Sequence, residues 1–185
     1  MLKTIAFIDA GQFRPAVVAS RLQLPGDKRF DWERFKEFLQ SICEGYLIDC
    51  HYFDSLEADS VERQIKFHSY LRNALGFQMH FLDLKEKLHH CPACNHIATE
   101  REQKGVDVGL TVQMMKLAYN GAFDHALLCS GDGDFAPVVE FVRDTMGKRV
   151  TVLGWSNGVA PYLREAACKT ITLNDHFVKF IGDRN

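Results

Sequence analysis

The 185-residue sequence lacks a long apolar run, an excess of charge of either sign, and any repeated or low-complexity segment. Without a run long enough to cross a bilayer, and with an opening apolar stretch that soon reaches Asp9, we expect neither a membrane span nor a signal peptide. The net charge of −2 excludes a globally basic surface, so a polyanionic partner would need a local patch. These absences predict a single cytoplasmic domain over 1–185, whose six cysteines are reduced or metal-bound rather than paired in disulfides.

Strand patterns and helix patterns alternate along the chain. Short apolar runs predict strands near 4–8, 46–53, 77–82, 125–129, 149–153 and 170–173. The run at 77–82 alternates apolar and polar residues, so we expect that strand near a sheet edge. This order predicts an α/β fold with a mostly parallel sheet and helices on both faces.

The segments between the strands have helical patterns. Residues 12–45 are predicted to be helical with a break at 24–27, and Asp31 is the expected N-cap of the second piece. Further helices are predicted over 59–74, from 106 onward, over 135–146 and near 161–167. The helix that begins at 106 is predicted to be largely buried, with Val108, Val112, Met115 and Tyr119 on one of its faces.

Aspartates follow two of the predicted strands. Asp9 ends the first strand, and Asp132 and Asp134 follow the strand at 125. If the first strand is central in the sheet, right-handed crossovers make these strands neighbours at the point where the strand order reverses, and Asp107 begins a helix on the same side. Clustered carboxylates repel unless a cation intervenes, which favours a Mg²⁺ or Mn²⁺ site. Capping of the following helix is the alternative for Asp132 and Asp134.

Three motifs resemble the NYN domain family of PIN-like nucleases, in particular its LabA-like branch. They are Phe7-Ile8-Asp9-Ala10-Gly11, the segment 104–108 (Lys-Gly-Val-Asp-Val) and the segment 130–138 (Ser-Gly-Asp-Gly-Asp-Phe-Ala-Pro-Val), and the resemblance covers roughly 4–174. It implies a PIN-like three-layer α/β/α sandwich with Rossmann-like topology. It also implies a metal-dependent ribonuclease whose catalytic, metal-binding carboxylates are Asp9, Asp107, Asp132 and Asp134. The chain departs from the family at Gln12, where many relatives have Asn, and at Gln113, where relatives often have Asp.

Four other residues are candidates for substrate contact. Arg14 and Lys104 follow or precede the aspartates closely enough to reach phosphates of an RNA substrate, although a solvated face is the alternative. Gln12 keeps an amide at the mouth of the pocket. Ser130 is the fourth candidate for substrate contact. Capping is the alternative role for its hydroxyl, because no Gly-x-Ser-x-Gly elbow surrounds it.

A Cys/His-containing insertion at about 83–103 interrupts the α/β alternation. Cys91 and Cys94 have half of a zinc-site spacing, and His90 and His96 are within reach as further ligands of a structural Zn²⁺. Two ordinary reduced thiols are the alternative. A partner subunit could also complete such a site, so a homodimer stays open.

The sequence is compatible with three functions. The first is a Mg²⁺- or Mn²⁺-dependent endoribonuclease, and the second is a non-catalytic RNA-binding or regulatory module that retains the acidic pocket. The third is a small-molecule phosphohydrolase or phosphotransferase. Such enzymes usually carry a second aspartate two residues after the first, and that position is Gly11 here.

Overall fold

The computed structural model of the protein describes residues 1–13, 18, 22, 24, 28–55, 61–82, 85–90, 94, 97–102 and 105–183. The strands in these ranges are β1 (Lys3–Asp9), β2 (Lys28–Phe30), β3 (Tyr46–Ser55), β4 (Gln78–Leu82), β5 (Lys85–His90), β6 (Ile97–Glu102), β7 (His125–Cys129), β8 (Arg149–Gly154), β9 (Lys169–Thr172) and β10 (Ile181–Asp183). The α-helices are α1 (Ala10–Phe13), α2 (Trp32–Ile42), α3 (Val61–Asn73), α4 (Val106–Tyr119), α5 (Ala136–Asp144) and α6 (Pro161–Ala166). Two 3₁₀ segments cover Gly133–Phe135 and Leu173–Phe180.

A six-stranded parallel sheet forms the centre of the fold. Its strand order is β4-β3-β1-β7-β8-β9, and β1 pairs with β3 on one side and β7 on the other. The predicted adjacency of the first strand and the strand at 125 is therefore confirmed. The order reverses between β1 and β7, so the carboxyl ends of these two strands open the crevice in which α/β folds bind ligands.

Both faces of the sheet are covered, as the alternation of patterns predicts. Successive strand residues point to opposite faces, so Ala6 and Ile8 lie in one buried cluster while Ile5 and Phe7 lie in the other. The first cluster includes the apolar side of α2, and the second includes residues of α4, α5 and α6. A three-layer α/β/α arrangement follows.

Local signals in the sequence are matched at several element ends. Asp31 caps α2, since its side chain accepts a hydrogen bond from the backbone N–H of Arg34. The alternating strand near 77–82 is β4, and it lies at an edge of the sheet. Gly147 adopts a positive φ of 63° after α5, a conformation that glycine adopts without steric strain.

A small antiparallel sheet corrects the prediction that 12–45 is helical apart from its break. Residues Lys28–Phe30 form β2, which pairs with β10 at the other end of the chain. The physical reason is aromatic packing: the Phe30 ring lies 5.0 Å from Phe35 and 5.4 Å from Phe180. Burial in this cluster orders a three-residue segment that has no strand signal of its own.

The buried face of α4 also differs from the prediction. The helix buries Val106, Leu110, Met114 and Ala118. Val108, Val112, Met115 and Tyr119, which the sequence placed on a face of a largely buried helix, are exposed. Apolar residues occur all round this helix, so their spacing alone does not select a face, and packing against the sheet decides.

The insertion at 83–103 contains a two-stranded antiparallel hairpin. Strands β5 and β6 pair from Lys85 opposite Glu102 to His90 opposite Ile97. This hairpin lies between β4 and α4 in the chain and is a separate sheet from the central one.

None of the helices in the described ranges has both the length and the apolarity that crossing a lipid bilayer requires.

Candidate active site

A cavity of about 190 Å³ lies at the carboxyl ends of β1 and β3 and beside the segment that follows β7. Side chains and backbone from four segments meet there, because parallel strands deliver their carboxyl ends to one edge of the sheet. We refer to it as the acidic cavity. It is lined by Asp9, Ala10, Gly11, Gln12, Phe53, Asp54, Ser55, Val106, Asp107 and Asp132.

Asp9 is the most buried carboxylate among the four sequence candidates, with only 6% of the residue exposed. The Ser130 hydroxyl donates a hydrogen bond to its Oδ2 at 2.9 Å, and the Gly11 backbone N–H donates to its Oδ1 at 2.8 Å. Burial nevertheless raises the pKa of Asp9 to about 6, and the charges of Asp107 and Asp132 add to the rise. Asp9 is thus held in one orientation while carrying negative charge that the described residues do not fully neutralise.

The other three aspartates are electrostatic neighbours of one another. Asp107 lies in the first turn of α4, and its pKa is raised by burial and by the charges of Asp132 and Asp134. Asp132 lines the cavity and accepts a hydrogen bond from the backbone N–H of Asp134 at 3.0 Å. Asp134 is exposed. The structure therefore brings three of the four predicted aspartates, Asp9, Asp107 and Asp132, into the cavity, while Asp134 lies outside its lining and acts on Asp107 through its charge. Asp132 also caps the 3₁₀ segment, as the capping alternative predicts.

The two glycines that alternate with these aspartates permit close approach of a neighbouring loop. A Cβ atom on Gly131 would lie 1.6 Å from the carbonyl oxygen of Gly158, and one on Gly133 would lie 1.9 Å from the Tyr162 hydroxyl. The Gly131 carbonyl oxygen also accepts a hydrogen bond from the backbone N–H of Ala160 at 3.0 Å. Gly131 is thus required by packing between the β7–α5 and β8–α6 loops, and this packing fixes the position of Asp132, whereas Gly133 meets only the exposed side chain of Tyr162 on α6.

Ser130, a sequence candidate for substrate contact, is completely buried. Besides donating to Asp9, its Oγ accepts a hydrogen bond from the backbone N–H of Asp132 at 3.2 Å. The hydroxyl therefore links the Asp9 carboxylate to the backbone of Asp132, which follows the neighbouring strand. This geometry makes Ser130 a residue that positions Asp9 and Asp132.

The remaining candidates for substrate contact divide into two groups. Gln12 lines the cavity. Its backbone carbonyl oxygen accepts a hydrogen bond from Trp155 Nε1 at 2.8 Å, which connects α1 to the β8–α6 loop. Arg14 and Lys104 lie outside the described residues. Their predicted contacts with phosphates stay predictions.

Asp54, at the end of β3, is a cavity residue that the sequence reasoning missed. It is 3% exposed, its Oδ1 accepts a hydrogen bond from the backbone N–H of Ser55 at 2.8 Å, and its Oδ2 lies 2.9 Å from His68 Nε2. The signal was present in the sequence: Asp54 follows an apolar strand just as Asp9 does. Only the pairing with His68, fourteen residues further along, had no signal in the spacing.

The proposed zinc ligands fall almost entirely outside the part that can be described. Cys91 and His96 are not described, the side chain of His90 is not described, and Cys94 is exposed. The prediction of a structural Zn²⁺ in the insertion therefore stays a prediction.

The donor set of the acidic cavity suits a hard divalent cation. Among the described residues, no three His, Cys, Asp or Glu side chains come close enough together to enclose a metal ion by themselves. Mg²⁺ does not need such an enclosure, since it retains several waters and is bound through one or two carboxylates and the phosphates of a substrate. Oxygen donors, with mutual repulsion raising the pKa of both Asp9 and Asp107, fit an ion of this kind.

Comparison with known proteins places the chain in a family and supports the fold. The sequence model of the NYN domain matches residues 5–174. A crystal structure of a protein of unknown function from Vibrio parahaemolyticus aligns with a TM-score of 0.65 and 22% identity, covering 98% of this chain and 97% of that one. MurG from Acinetobacter baumannii has a TM-score of 0.40 and 12% identity, covering 91% of this chain and 40% of that one, which is too low to support an argument. No protein with a curated description shows significant similarity to the chain.

Proposed function

The chain belongs to the NYN domain family, and from this premise we propose that it is a ribonuclease whose hydrolysis of phosphodiester bonds depends on Mg²⁺ or Mn²⁺. NYN domains are generally nucleases, which makes nucleic acid the expected class of substrate. The choice of RNA, of endonucleolytic cleavage and of these ions is the proposal.

The observation that carries the proposal is the electrostatic coupling of four aspartates at one edge of the sheet. Burial is the main reason that the pKa values of Asp9 and Asp107 are raised; the charges of Asp107 and Asp132 add to the rise at Asp9, and those of Asp132 and Asp134 to the rise at Asp107. Such an arrangement is unfavourable for folding, and proteins retain it where a cation or a reaction requires it. A buried carboxylate with two hydrogen-bond donors is also a rigid ligand, as a metal site requires.

Each residue has a distinct part in this proposal. Asp9 and Asp132 hold the metal ion from neighbouring strands, and Asp107 approaches it from the first turn of α4. Ser130 keeps Asp9 and Asp132 in register with each other through its two hydrogen bonds. Gln12, at the wall of the cavity, is placed to orient the scissile phosphate through its amide. When bound, the metal ion supplies Lewis-acid stabilisation of the charge that develops on the phosphate and activates a water molecule.

Asparagine substitutions test the charge of each aspartate at nearly constant size. Asp9→Asn and Asp132→Asn should nearly abolish Mn²⁺-dependent cleavage of single-stranded RNA, while Asp107→Asn and Asp134→Asn should impair it severely. Ser130→Ala should have a milder effect, because it removes a group that positions ligands rather than a ligand. Cleavage is followed on labelled RNA by gel electrophoresis, with chelator to silence the wild type and added Mn²⁺ to restore it.

Asp175→Asn is the matched control, because Asp175 is exposed and does not line the cavity. Its cleavage rate should equal that of the wild type. Cleavage that survives Asp9→Asn unchanged would mean that the activity comes from another site or a contaminant. Wild-type protein that binds RNA but never cleaves it, with any metal ion, would favour a regulatory RNA-binding module.

A further inference from the structure

A second cavity, of about 310 Å³, lies between α3 and β4. We refer to it as the α3–β4 cavity. It adjoins β3 as well, because Phe81 in β4 is the registered partner of Asp54. Its walls are Ile65, His68, Ser69, Arg72 and Asn73 from α3, and Phe81 from β4.

One hydrogen-bonded pair separates this cavity from the acidic cavity. His68 lines the α3–β4 cavity, Asp54 lines the acidic cavity, and His68 Nε2 lies 2.9 Å from Asp54 Oδ2. Both residues are almost completely buried. A polymer whose backbone lies in the acidic cavity would therefore bring its adjacent unit to the α3–β4 cavity.

The imidazole of His68 has an unused hydrogen-bonding position. His68 is only 5% exposed, and its Nδ1 is buried without a hydrogen-bond partner among the described residues. Buried polar atoms are nearly always paired, so Nδ1 is an exception within the part of the chain that the structure describes. The rest of the imidazole ring, which packs against Phe81, therefore forms the His68 part of the cavity wall.

The remaining walls combine an aromatic ring, a cation and polar groups. The Arg72 guanidinium carbon lies 6.0 Å from the centroid of the Phe81 ring, and the His68 ring lies 4.7 Å from it on centroids. Asn73 donates its amide N–H to the Ser69 hydroxyl oxygen at 2.9 Å, which orients both groups. Single-stranded RNA is recognised by surfaces of this composition, in which bases stack on aromatic rings or guanidinium planes and basic side chains contact phosphates.

We propose that the α3–β4 cavity binds the nucleotide adjacent to the scissile phosphate of single-stranded RNA, an inference that rests on the proposed function for its choice of substrate. The base stacks against Phe81 and the Arg72 guanidinium. The His68 ring supports Phe81 from within the wall, while its Nε2 keeps its bond to Asp54. The cavity thus selects an unpaired nucleotide, since a base within a duplex cannot be splayed into it.

The test measures RNA binding with catalysis switched off. Fluorescein-labelled RNA octamers of each single base are titrated against the protein in chelator, and the dissociation constant is read from fluorescence anisotropy. Phe81→Leu and Arg72→Gln should each raise the dissociation constant about tenfold, the size expected for loss of one stacked base. Phe141→Leu is the matched control for the ring, because Phe141 has the same 39% exposure as Phe81 and lies on α5. Arg63→Gln is the control for the charge, because Arg63 is exposed on the same helix and does not line the cavity.

His68→Gln separates ligand binding from folding. A glutamine amide N–H can replace the donor at Nε2 toward Asp54 but does not replace the ring that packs against Phe81. The variant should keep a melting temperature near that of the wild type and still lose about tenfold in RNA affinity.

The outcomes for binding and for cleavage are separable. If the cavity variants bind RNA within twofold of their controls, or if wild-type protein binds none of the octamers, the inference is refuted. Retained Mn²⁺-dependent cleavage in that case leaves the proposed function in place. If the cavity variants lose affinity and the wild type never cleaves, the cavity is an RNA-binding site but the proposed function fails, and with it the placement of the nucleotide next to a scissile phosphate.

Discussion

An Asp9→Asn substitution should make the metal-free protein more stable at neutral pH even though it should abolish cleavage. The pKa of Asp9 is raised from 3.8 to about 6, mainly because the carboxylate is buried. Each pKa unit corresponds to about 1.4 kcal/mol, so the ionised carboxylate lowers the free energy of unfolding by about 3 kcal/mol. The residue is only 6% exposed, so solvent screening reduces this effect on the free energy of unfolding only slightly.

The pH dependence of the effect has a definite sign. Between pH 3.8 and 6 the folded protein binds more protons at Asp9 than the unfolded chain does, so its stability falls as the pH rises through that interval. Asparagine does not titrate, so the stability of the variant does not fall over this pH interval on account of residue 9. The variant gives up part of this gain, because an amide oxygen can accept from only one of the two donors, Ser130 Oγ–H and Gly11 N–H, that bind the carboxylate. We therefore expect the variant to be more stable by about 1–2 kcal/mol at pH 7.5 and no more stable than the wild type at pH 4.

Urea denaturation in chelator at these two pH values measures the difference. Added Mn²⁺ should raise the melting temperature of the wild type, because the ion binds the folded state, and should raise that of the variant less. Asp175→Asn should show neither effect, since Asp175 is exposed. Equal stability of wild type and Asp9→Asn at pH 7.5 in chelator, with an unchanged melt in Mn²⁺, would refute the reasoning from clustered charge.

Three further predictions concern the scaffold. Gly131→Ala should lower the free energy of unfolding by about 3 kcal/mol or more, because its Cβ would meet backbone of the neighbouring loop at 1.6 Å; Gly121→Ala, with a φ of 64° but open space, should lower it by only about 1 kcal/mol in the same thermal melts. Burial lowers the pKa of His51 from 6.5 to about 4, so the protein should lose up to about 3 kcal/mol of stability as the pH falls through that interval, and less in a His51→Gln variant, as urea titrations would reveal. Asp31→Ala should reduce stability by about 1 kcal/mol through loss of the α2 cap, and an unchanged denaturation midpoint would contradict the capping role.

The sheet and the acidic cavity could be predicted from sequence because their signals are local and their assembly is restricted. Short apolar runs locate β1 and β7, and the rule of right-handed crossovers makes these two strands adjacent. A carboxylate directly after a strand then lies at a known edge. Asp9 and Asp132 required no knowledge of side-chain packing, which is why they were found together.

The features that were missed depend on packing between distant segments. Strand β2 exists because Phe30 packs on Phe180, and no pattern within three residues indicates a partner at the other end of the chain. The buried face of α4 depends on which of several apolar rows meets the sheet. The contact between Asp54 and His68 joins a strand end to a helix interior, and spacing alone does not reveal it.

The interior position of β1 also has a consequence for how the chain folds as it is synthesised. β3 follows β1 closely enough to pair with it early, but the opposite edge of β1 stays open until β7 is made about 70 residues later. At ordinary synthesis rates that interval lasts roughly 4–15 s. During it an apolar strand presents unpaired backbone groups, which can pair with another nascent chain or be held by a chaperone. A fragment that stops before β7 would keep that edge open permanently, so the amino-terminal part of this protein depends on the carboxyl-terminal part for its solubility.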